Sequence, residues 1–255
     1  MNLLGLNKKT AIVTGGGNGI GKSCCEILAA HGASVVVGDL KMEDASAVAE
    51  SIKKEGEKAL AVECNVTKDD DLVKLVEAAE NEFGSIDILV NNAGGGGGGR
   101  ENPMKIDVDD FKRDFDLNVF SAWRMAQLCA PIMQKSGYGS IINISSMSSI
   151  NRSPNMSGYA SAKAAVNHMT ANLAHDYGPM GIRINAVGPG ATKTQALQKV
   201  LTPEIEARML KNTPIKRLGI PQDIAGAVLY FAAPISEWVS GQILFVNGGG
   251  IQTLD

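Results

Sequence analysis

The stretch Thr14-Gly15-Gly16-Gly17-Asn18-Gly19-Ile20-Gly21 stands between a short apolar run, Ala11-Ile12-Val13, and a segment carrying Ile20, Cys24, Ile27 and Leu28 at helical spacing. Gly15, Gly19 and Gly21 let the chain turn sharply out of a strand and pack a helix against it. They also bring backbone N–H groups to the helix N-terminus, where a pyrophosphate would sit. A second apolar run, 34–39, ends in Asp39. A carboxylate at that place accepts hydrogen bonds from both hydroxyls of an adenosine ribose and repels a 2′-phosphate. The pair of features points to NAD rather than NADP. Asn18 is uncharged, which agrees, while Lys41 is the one neighbour that suits a phosphate. The alternative for Asp39 is a helix N-cap for the segment that follows.

Working outward, runs of the same kind recur at 59–64, 86–91, 140–144, 182–187 and 242–246. They are continuous rather than alternating, as strands buried on both faces are. Between them lie amphipathic segments at 69–83, 111–134, 159–177 and 222–231. This alternation predicts an α/β, doubly wound, single-domain Rossmann fold with a seven-stranded parallel sheet and helices on both faces. No linker or repeat divides the chain, so residues 1–255 are expected to form one dinucleotide-binding and catalytic domain. Six consecutive glycines at 94–99 follow a strand. They suit either a flexible loop or a backbone passing close to a ligand beyond the carboxyl end of the sheet.

Composition narrows the partners. In 255 residues, 24 basic side chains face 27 acidic ones, a net charge of −3, without the basic excess of a nucleic-acid binder. A hydrophobic share of 44% with 20% charged residues excludes wholesale disorder. No apolar run reaches the roughly 18 residues of a membrane span, and the N-terminal residues lack a signal-peptide pattern. A cytoplasmic protein with no membrane or nucleic-acid partner is expected. Cys24, Cys25, Cys64 and Cys129 show neither disulfide nor zinc spacing and read as buried small hydrophobes. His31, His168 and His175 lack metal-ligand spacing, and no metal is expected.

Chemistry gathers later in the chain. Asn143-Ile144-Ser145-Ser146 ends a strand, and Tyr159-Ala160-Ser161-Ala162-Lys163 opens a helix. Residues four apart share a helix face. A free tyrosine has a pKa of about 10 and is a poor base at neutral pH. A nearby ammonium favours the phenolate, and a shift of about two units needs only about 2.7 kcal/mol. Tyr159 would then take the proton of an alcohol while hydride leaves for a nicotinamide, or return it to a ketone. Taken alone, the pair equally suits a solvated helix face.

The ordered set Thr14-Gly15, Gly19-Ile20-Gly21, Asn91-Asn92-Ala93-Gly94, Asn118, Ser146, Tyr159, Lys163 and Pro189-Gly190 resembles the short-chain dehydrogenase/reductase family over nearly the whole chain. The resemblance implies that Ser146 positions the substrate oxygen and Tyr159 is the general acid/base. It implies that Lys163 lowers the tyrosine pKa and binds the nicotinamide ribose, and that Asn118 holds a water in a proton relay. It places Gly15, Asn18, Gly19, Ile20 and Gly21 on the pyrophosphate, and Asp39, Leu40, Asn65 and Val66 on the adenosine. Asn92, Ala93 and Gly94 flank the adenosine side, and Pro189, Gly190, Thr192 and Thr194 line the nicotinamide pocket. Ser145, Ser148, Ser149 and Ser153 compete with Ser146, which is chosen on family spacing. Asn65 departs from the acid usual at its position; its amide oxygen is expected to accept from the adenine amine.

The segment 192–213 is expected to cover the substrate. Its Ala196, Leu197, Val200, Leu201, Ile205, Met209 and Leu210 suit a bulky apolar substrate, or a helix pair packed on the core. Thr202-Pro203-Glu204-Ile205-Glu206, Thr213 through Gly219, Gln222-Asp223-Ile224 and Trp238 through Gly250 are similar to the branch of the family that acts on bile-acid hydroxyls. That resemblance implies oxidation of a 7α-hydroxyl to the 7-oxo form with NAD. Other members remain alternatives, among them sugar-alcohol dehydrogenases and a 3-oxoacyl-carrier-protein reductase. The latter would want NADPH and a basic docking patch, for which Lys193, Lys199 and Arg208 are the candidates. A sensor without catalysis would be expected to lack the tyrosine or lysine. The family also implies a homotetramer through the helices at 111–134 and 159–177 and through the C-terminal strand and tail, although Trp238 and that strand would equally serve a monomer core.

Overall fold

The computed structural model describes residues 3–96 and 102–250. Each apolar run forms a strand: β1 (Thr10–Thr14), β2 (Ser34–Asp39), β3 (Ala59–Glu63), β4 (Ile88–Asn91), β5 (Gly139–Ile144), β6 (Ile182–Pro189) and β7 (Ile243–Val246). All pair in parallel, in the order β3-β2-β1-β4-β5-β6-β7. The chain therefore builds outward from β1 in one direction and from β4 in the other. The reversal leaves a crevice at the carboxyl ends of those two strands.

The helices are α1 (Gly19–Ala30), α2 (Met42–Lys54), α3 (Asp69–Phe83), α4 (Val108–Phe115), α5 (Ser121–Ser136), α6 (Ser157–Tyr177), α7 (Gln195–Gln198), α8 (Pro203–Leu210) and α9 (Pro221–Ala232). Successive residues of β1 serve opposite layers. Ala11 and Val13 join a core with Leu28 and Phe231, whereas Ile12 joins one with Leu75, Met125 and Ile141. All four cysteines are buried, as the sequence suggested.

Two segments differ from expectation. The helix α2, not among the amphipathic segments expected, begins at Met42 and buries Ala45, Val48, Ala49 and Ile52, a helically spaced stripe. The continuous helix expected over 111–134 is interrupted by a π-turn at Asp116–Phe120. Asn118 is the cause. Its side-chain Nδ2 donates to the Asp114 carbonyl at 2.8 Å, the acceptor its own N–H would take in an α-helix. The ladder then passes to a wider bond, Ser121 N to Asp116 O.

Beneath the crevice a buried polar chain ties β4 and β5 to α5 and α6. Asn91 Nδ2 donates to Asn143 Oδ1 at 2.9 Å and to the Ala122 carbonyl at 3.2 Å. Asn143 Nδ2 donates in turn to Thr170 Oγ1 at 3.0 Å. Asn143→Ala removes a partner from two buried groups. It is expected to cost about 2 kcal/mol, read as a lower urea midpoint at constant m; an unchanged midpoint would remove this chain from the account of stability.

Candidate active site

A cleft of about 540 Å³ opens at the carboxyl ends of the central strands. Its wall contains every residue that the sequence assigned to the cofactor: Gly15, Asn18, Gly19, Ile20, Gly21, Asp39, Leu40, Asn65, Val66, Asn92, Ala93, Gly94, Tyr159, Lys163, Pro189, Gly190, Thr192 and Thr194. The glycine turn is close-packed. A Cβ on Gly21 would stand 2.0 Å from the Gly15 carbonyl oxygen, and Gly15 itself has φ +62°. Asn92 Nδ2 braces this turn by donating to the carbonyls of Thr14 and Gly15, each at 2.9 Å. Thr14 Oγ1 accepts from the N–H groups of Asn92 and Ala93, each at 3.1 Å. Asn18 precedes α1 in an extended conformation and its side chain makes no cap bond. The N–H groups of the first turn, on the cleft wall, are thus left for an anion.

Asp39 is buried at the far end of the cleft. Its Oδ2 accepts from Gly17 N at 2.8 Å and its Oδ1 from Lys41 N at 3.1 Å. The N-cap position of α2 belongs to Lys41, so Asp39 is not a helix cap. Each carboxylate oxygen keeps acceptor capacity for a ribose hydroxyl. The expectation for Asn65 needs correction. Its Oδ1 already accepts from Thr67 N at 3.0 Å and Thr67 Oγ1 at 2.7 Å, so the oxygen meant for adenine is filled by its own turn.

At the chemical end, Ser146 precedes a short 3₁₀ turn, Met147–Ser149. Its Oγ accepts from Ser148 N at 3.1 Å, and its hydroxyl stands near enough to the Tyr159 phenol to favour the phenolate. Two of the rival hydroxyls are engaged elsewhere. Ser145 donates to Asn167 Oδ1 at 2.6 Å, and Ser149 donates to the Ser146 carbonyl at 2.6 Å. Lys163 is buried, and its Nζ donates to the Ile144 carbonyl at 2.7 Å. Burial pushes its pKa down to about 8. Its Nζ lies 5.8 Å from the Tyr159 ring centroid.

Tyr159 contradicts the simple expectation drawn from helix spacing. Desolvation pushes its phenol above the ordinary value and the charge of Asp114 adds to that, while the Ser146 hydroxyl opposes both. Sharing a helix face with Lys163 does not suffice: its Nζ stays 5.8 Å from the ring centroid, and the cost of burying the phenolate prevails.

Asn118 is buried behind the cleft wall. Its Nδ2 donates to the carbonyls of Gly95 and Asp114, and its Oδ1 accepts from Gly95 N at 3.1 Å. A Cβ on Gly94 would stand 2.7 Å from Asn118 Oδ1 and 3.1 Å from Lys163 Nζ, and one on Gly96 would touch the Tyr159 ring. The glycine run, where described, therefore packs against Asn118, Lys163 and Tyr159; Gly97, Gly98 and Gly99 lie outside the described residues. Leu117, Ile144 and Ala196 also line the cleft, beyond the residues that the sequence assigned to the cofactor. Only their adjacency to Asn118 and Ser145, or their place in the 192–213 segment, marked them.

The covering segment forms the helix pair α7 and α8, yet neither helix buries a residue. Its base is tied. Lys193 N donates to the Gly219 carbonyl at 2.7 Å, and Gly219 N to the Ala191 carbonyl at 3.0 Å. Arg217 grips Asp223 through two bonds, at 2.6 and 2.9 Å.

A family model described as enoyl-(acyl carrier protein) reductase matches residues 15–250. The chain belongs to the short-chain dehydrogenase/reductase family. It is 48% identical over 252 residues to a 7α-hydroxysteroid dehydrogenase of Escherichia coli K12, covering 99% of this chain and 98% of that one. It is 39% identical over 245 residues to one from Clostridium sardiniense, covering 96% and 94%. A solved 7α-hydroxysteroid dehydrogenase in complex with NADH and 7-oxo glycochenodeoxycholic acid superposes with a TM-score of 0.95 at 48% identity, over 99% of this chain and 98% of that one. This short-chain dehydrogenase/reductase is an oxidoreductase.

Asp39→Ala is expected to lower NADH affinity and to narrow the preference over NADPH by about tenfold, 1.4 kcal/mol. The check is a pair of cofactor titrations; an unchanged ratio would take Asp39 off the ribose.

Proposed function

We propose that this chain transfers hydride between NAD(H) and the 7α-hydroxyl, or 7-oxo group, of bile acids, with Tyr159 as general acid/base. The observation that carries the proposal is one cleft with the glycine cradle and Asp39 at one end and Ser146, Tyr159 and Lys163 at the other, in a chain so close to 7α-hydroxysteroid dehydrogenases over its whole length. The cradle admits no side chain at Gly21, and Asp39 sits where a 2′-phosphate would be repelled, so these residues fit NAD. When bound, the nicotinamide supplies the hydride acceptor or donor.

The residues supply the rest. The Ser146 hydroxyl orients the substrate oxygen beside the Tyr159 phenol. Tyr159 takes the hydroxyl proton in oxidation and gives it to the carbonyl in reduction. Lys163 has donors to spare beyond the one spent on Ile144, and these suit a ribose hydroxyl. Asn118 has both amide hydrogens committed to backbone carbonyls. We assign it to support of the π-turn, where a water relaying the tyrosine proton would be held. Oxidation needs the phenolate, and the surrounding residues hold the phenol above its ordinary pKa. Oxidation therefore strengthens toward alkaline pH and reduction is favoured near neutrality. The segment 192–213 is assigned to cover the steroid, since its helices bury nothing of their own.

The family model's description favours one second reading, reduction of an acyl-carrier substrate. Lys193, Lys199 and Arg208 are exposed as a docking patch requires, but Asp39 opposes NADPH. The deciding assay follows NADH formation with chenodeoxycholate and cholate beside deoxycholate and lithocholate. Turnover of the first two alone is expected; turnover of all four would move the chemistry to the 3α carbon, and silence would send the substrate elsewhere in the family. Tyr159→Phe is expected to lose turnover while still binding NADH, and retained activity would remove Tyr159 from its role.

We also assign a homotetramer, in the cytoplasm. No helix among the described residues is long and apolar enough to cross a membrane. Phe120 and Trp123 are exposed on the π-turn and α5, and Tyr230, Ile235, Trp238 and Leu244 are exposed around α9 and β7. Trp238 is 99% exposed, so the monomer core does not use it. The tail at 251–255, expected to join a contact, lies outside the described residues. Light scattering is expected to give the mass of four chains; a monomer would refute the assignment.

A further inference from the structure

Asp114 is a buried acid that the mechanism above leaves unused. It lies in the last turn of α4, one turn before Asn118, and is 5% exposed. Its main-chain carbonyl accepts the Asn118 amide at 2.8 Å. Its carboxylate lies against α6, where a Cβ on Gly158 would stand 2.5 Å from Asp114 Oδ2. Gly158 directly precedes Tyr159, so the missing side chain admits a carboxylate to the turn that carries the catalytic phenol.

The other charges of α4 are spent at the surface, Asp109 on Lys112 and Asp110 on Arg113, and Asp116 of the π-turn is exposed. Lys163 stands over the Tyr159 ring from its own helix, and Asp114 acts on the phenol from α4. The 3₁₀ turn offers the neutral hydroxyl of Ser146, and the π-turn the neutral amide of Asn118. Asp114 is not without a partner; its effect comes from where its charge lies.

We propose that Asp114 is a positioning residue which, through the α4–α6 contact at Gly158, keeps Tyr159 in its proton-donating form and biases the enzyme toward carbonyl reduction. The proposal rests on the role given to Tyr159 above. A negative charge beside a phenol disfavours the phenolate, and buried groups are little screened by salt. The effect runs with desolvation and against the Ser146 hydroxyl. Lys163, which would oppose it, is drawn to the Ile144 carbonyl.

The test is a set of pH profiles of kcat in both directions for the wild type and Asp114→Asn. The rise of oxidation with pH, and the alkaline fall of reduction, are both expected to move to lower pH by about half a unit or more. A lower kcat or melting midpoint with neither limb moved would mean a merely structural residue and overturns the proposal. A mutant cycle with Gly158→Ala and Asp114→Ala tests the contact independently of charge. The methyl at position 158 is expected to cost activity in the wild-type background and much less in the Asp114→Ala background, a coupling between touching residues. Equal cost in both backgrounds overturns the contact. Failure of the tyrosine assignment itself is read separately, from activity retained in Tyr159→Phe.

Discussion

Two side-chain amides carry the irregular backbone on which the site depends. Where β1 and β4 part, the chain leaves peptide groups that no strand can pair, and buried peptide groups cannot go without partners. Asn92 takes the carbonyls of Thr14 and Gly15, and Asn118 takes both the N–H and the carbonyl of Gly95. A carboxamide is suited to this because it offers two donors and an acceptor on one short arm. A carboxylate of the same shape would lose the donors and leave carbonyls orphaned, at about 1–3 kcal/mol each. The glycines follow from the same geometry. Gly21 and Gly94 are bare because a carbonyl oxygen and an amide oxygen already occupy the space of a Cβ.

The chemical end is a contest between burial and charge. A cleft that excludes water strengthens every charge in it and also penalises every charge put there. Lys163 and Tyr159 suffer the same penalty with opposite signs. The ammonium becomes more acidic and the phenol less so, and both move toward the neutral pair. The fold answers the lysine's cost with the Ile144 carbonyl. For the tyrosine, among the described residues, Ser146 is what favours the phenolate, so its readiness to ionise depends on what else enters the cleft.

The sheet was legible because its strands are buried on both faces, and continuous apolar runs have few other uses in a chain of this composition. The glycine fingerprint, Asp39 and the tyrosine–lysine pair then locate the cleft wall from the sequence alone. Helix α2 carries a helically spaced buried face, Ala45, Val48, Ala49 and Ile52, against a charged surface, and was legible in principle although the small alanines make that face less conspicuous. The break at 116–120 leaves no mark in composition; one side chain stealing one carbonyl produces it. The sign of the Tyr159 shift escapes the sequence for a related reason. Helical spacing says which residues share a face, but not where a long lysine side chain goes when a buried carbonyl competes for it. The filled oxygen of Asn65 follows the same pattern, since the local turn claims the acceptor before any ligand can.

The segment proposed to cover the substrate is structurally separable from the core. Its two ends are bound to each other at Thr192 and Gly219 and to α9 by the Arg217–Asp223 pair. Neither helix between them contributes to either core layer. Changes within α7 or α8 therefore cost the fold little, whereas a change at Ser146 or Lys163 alters the wall of the cleft itself. Val200 and Ile215 are exposed between those two ends, and covering an exposed side chain of this size is worth about 1.5–3 kcal/mol. In the isolated chain that energy is unrealised. An apolar ligand seated beneath the segment would realise it, and would serve as the core that these two helices otherwise lack.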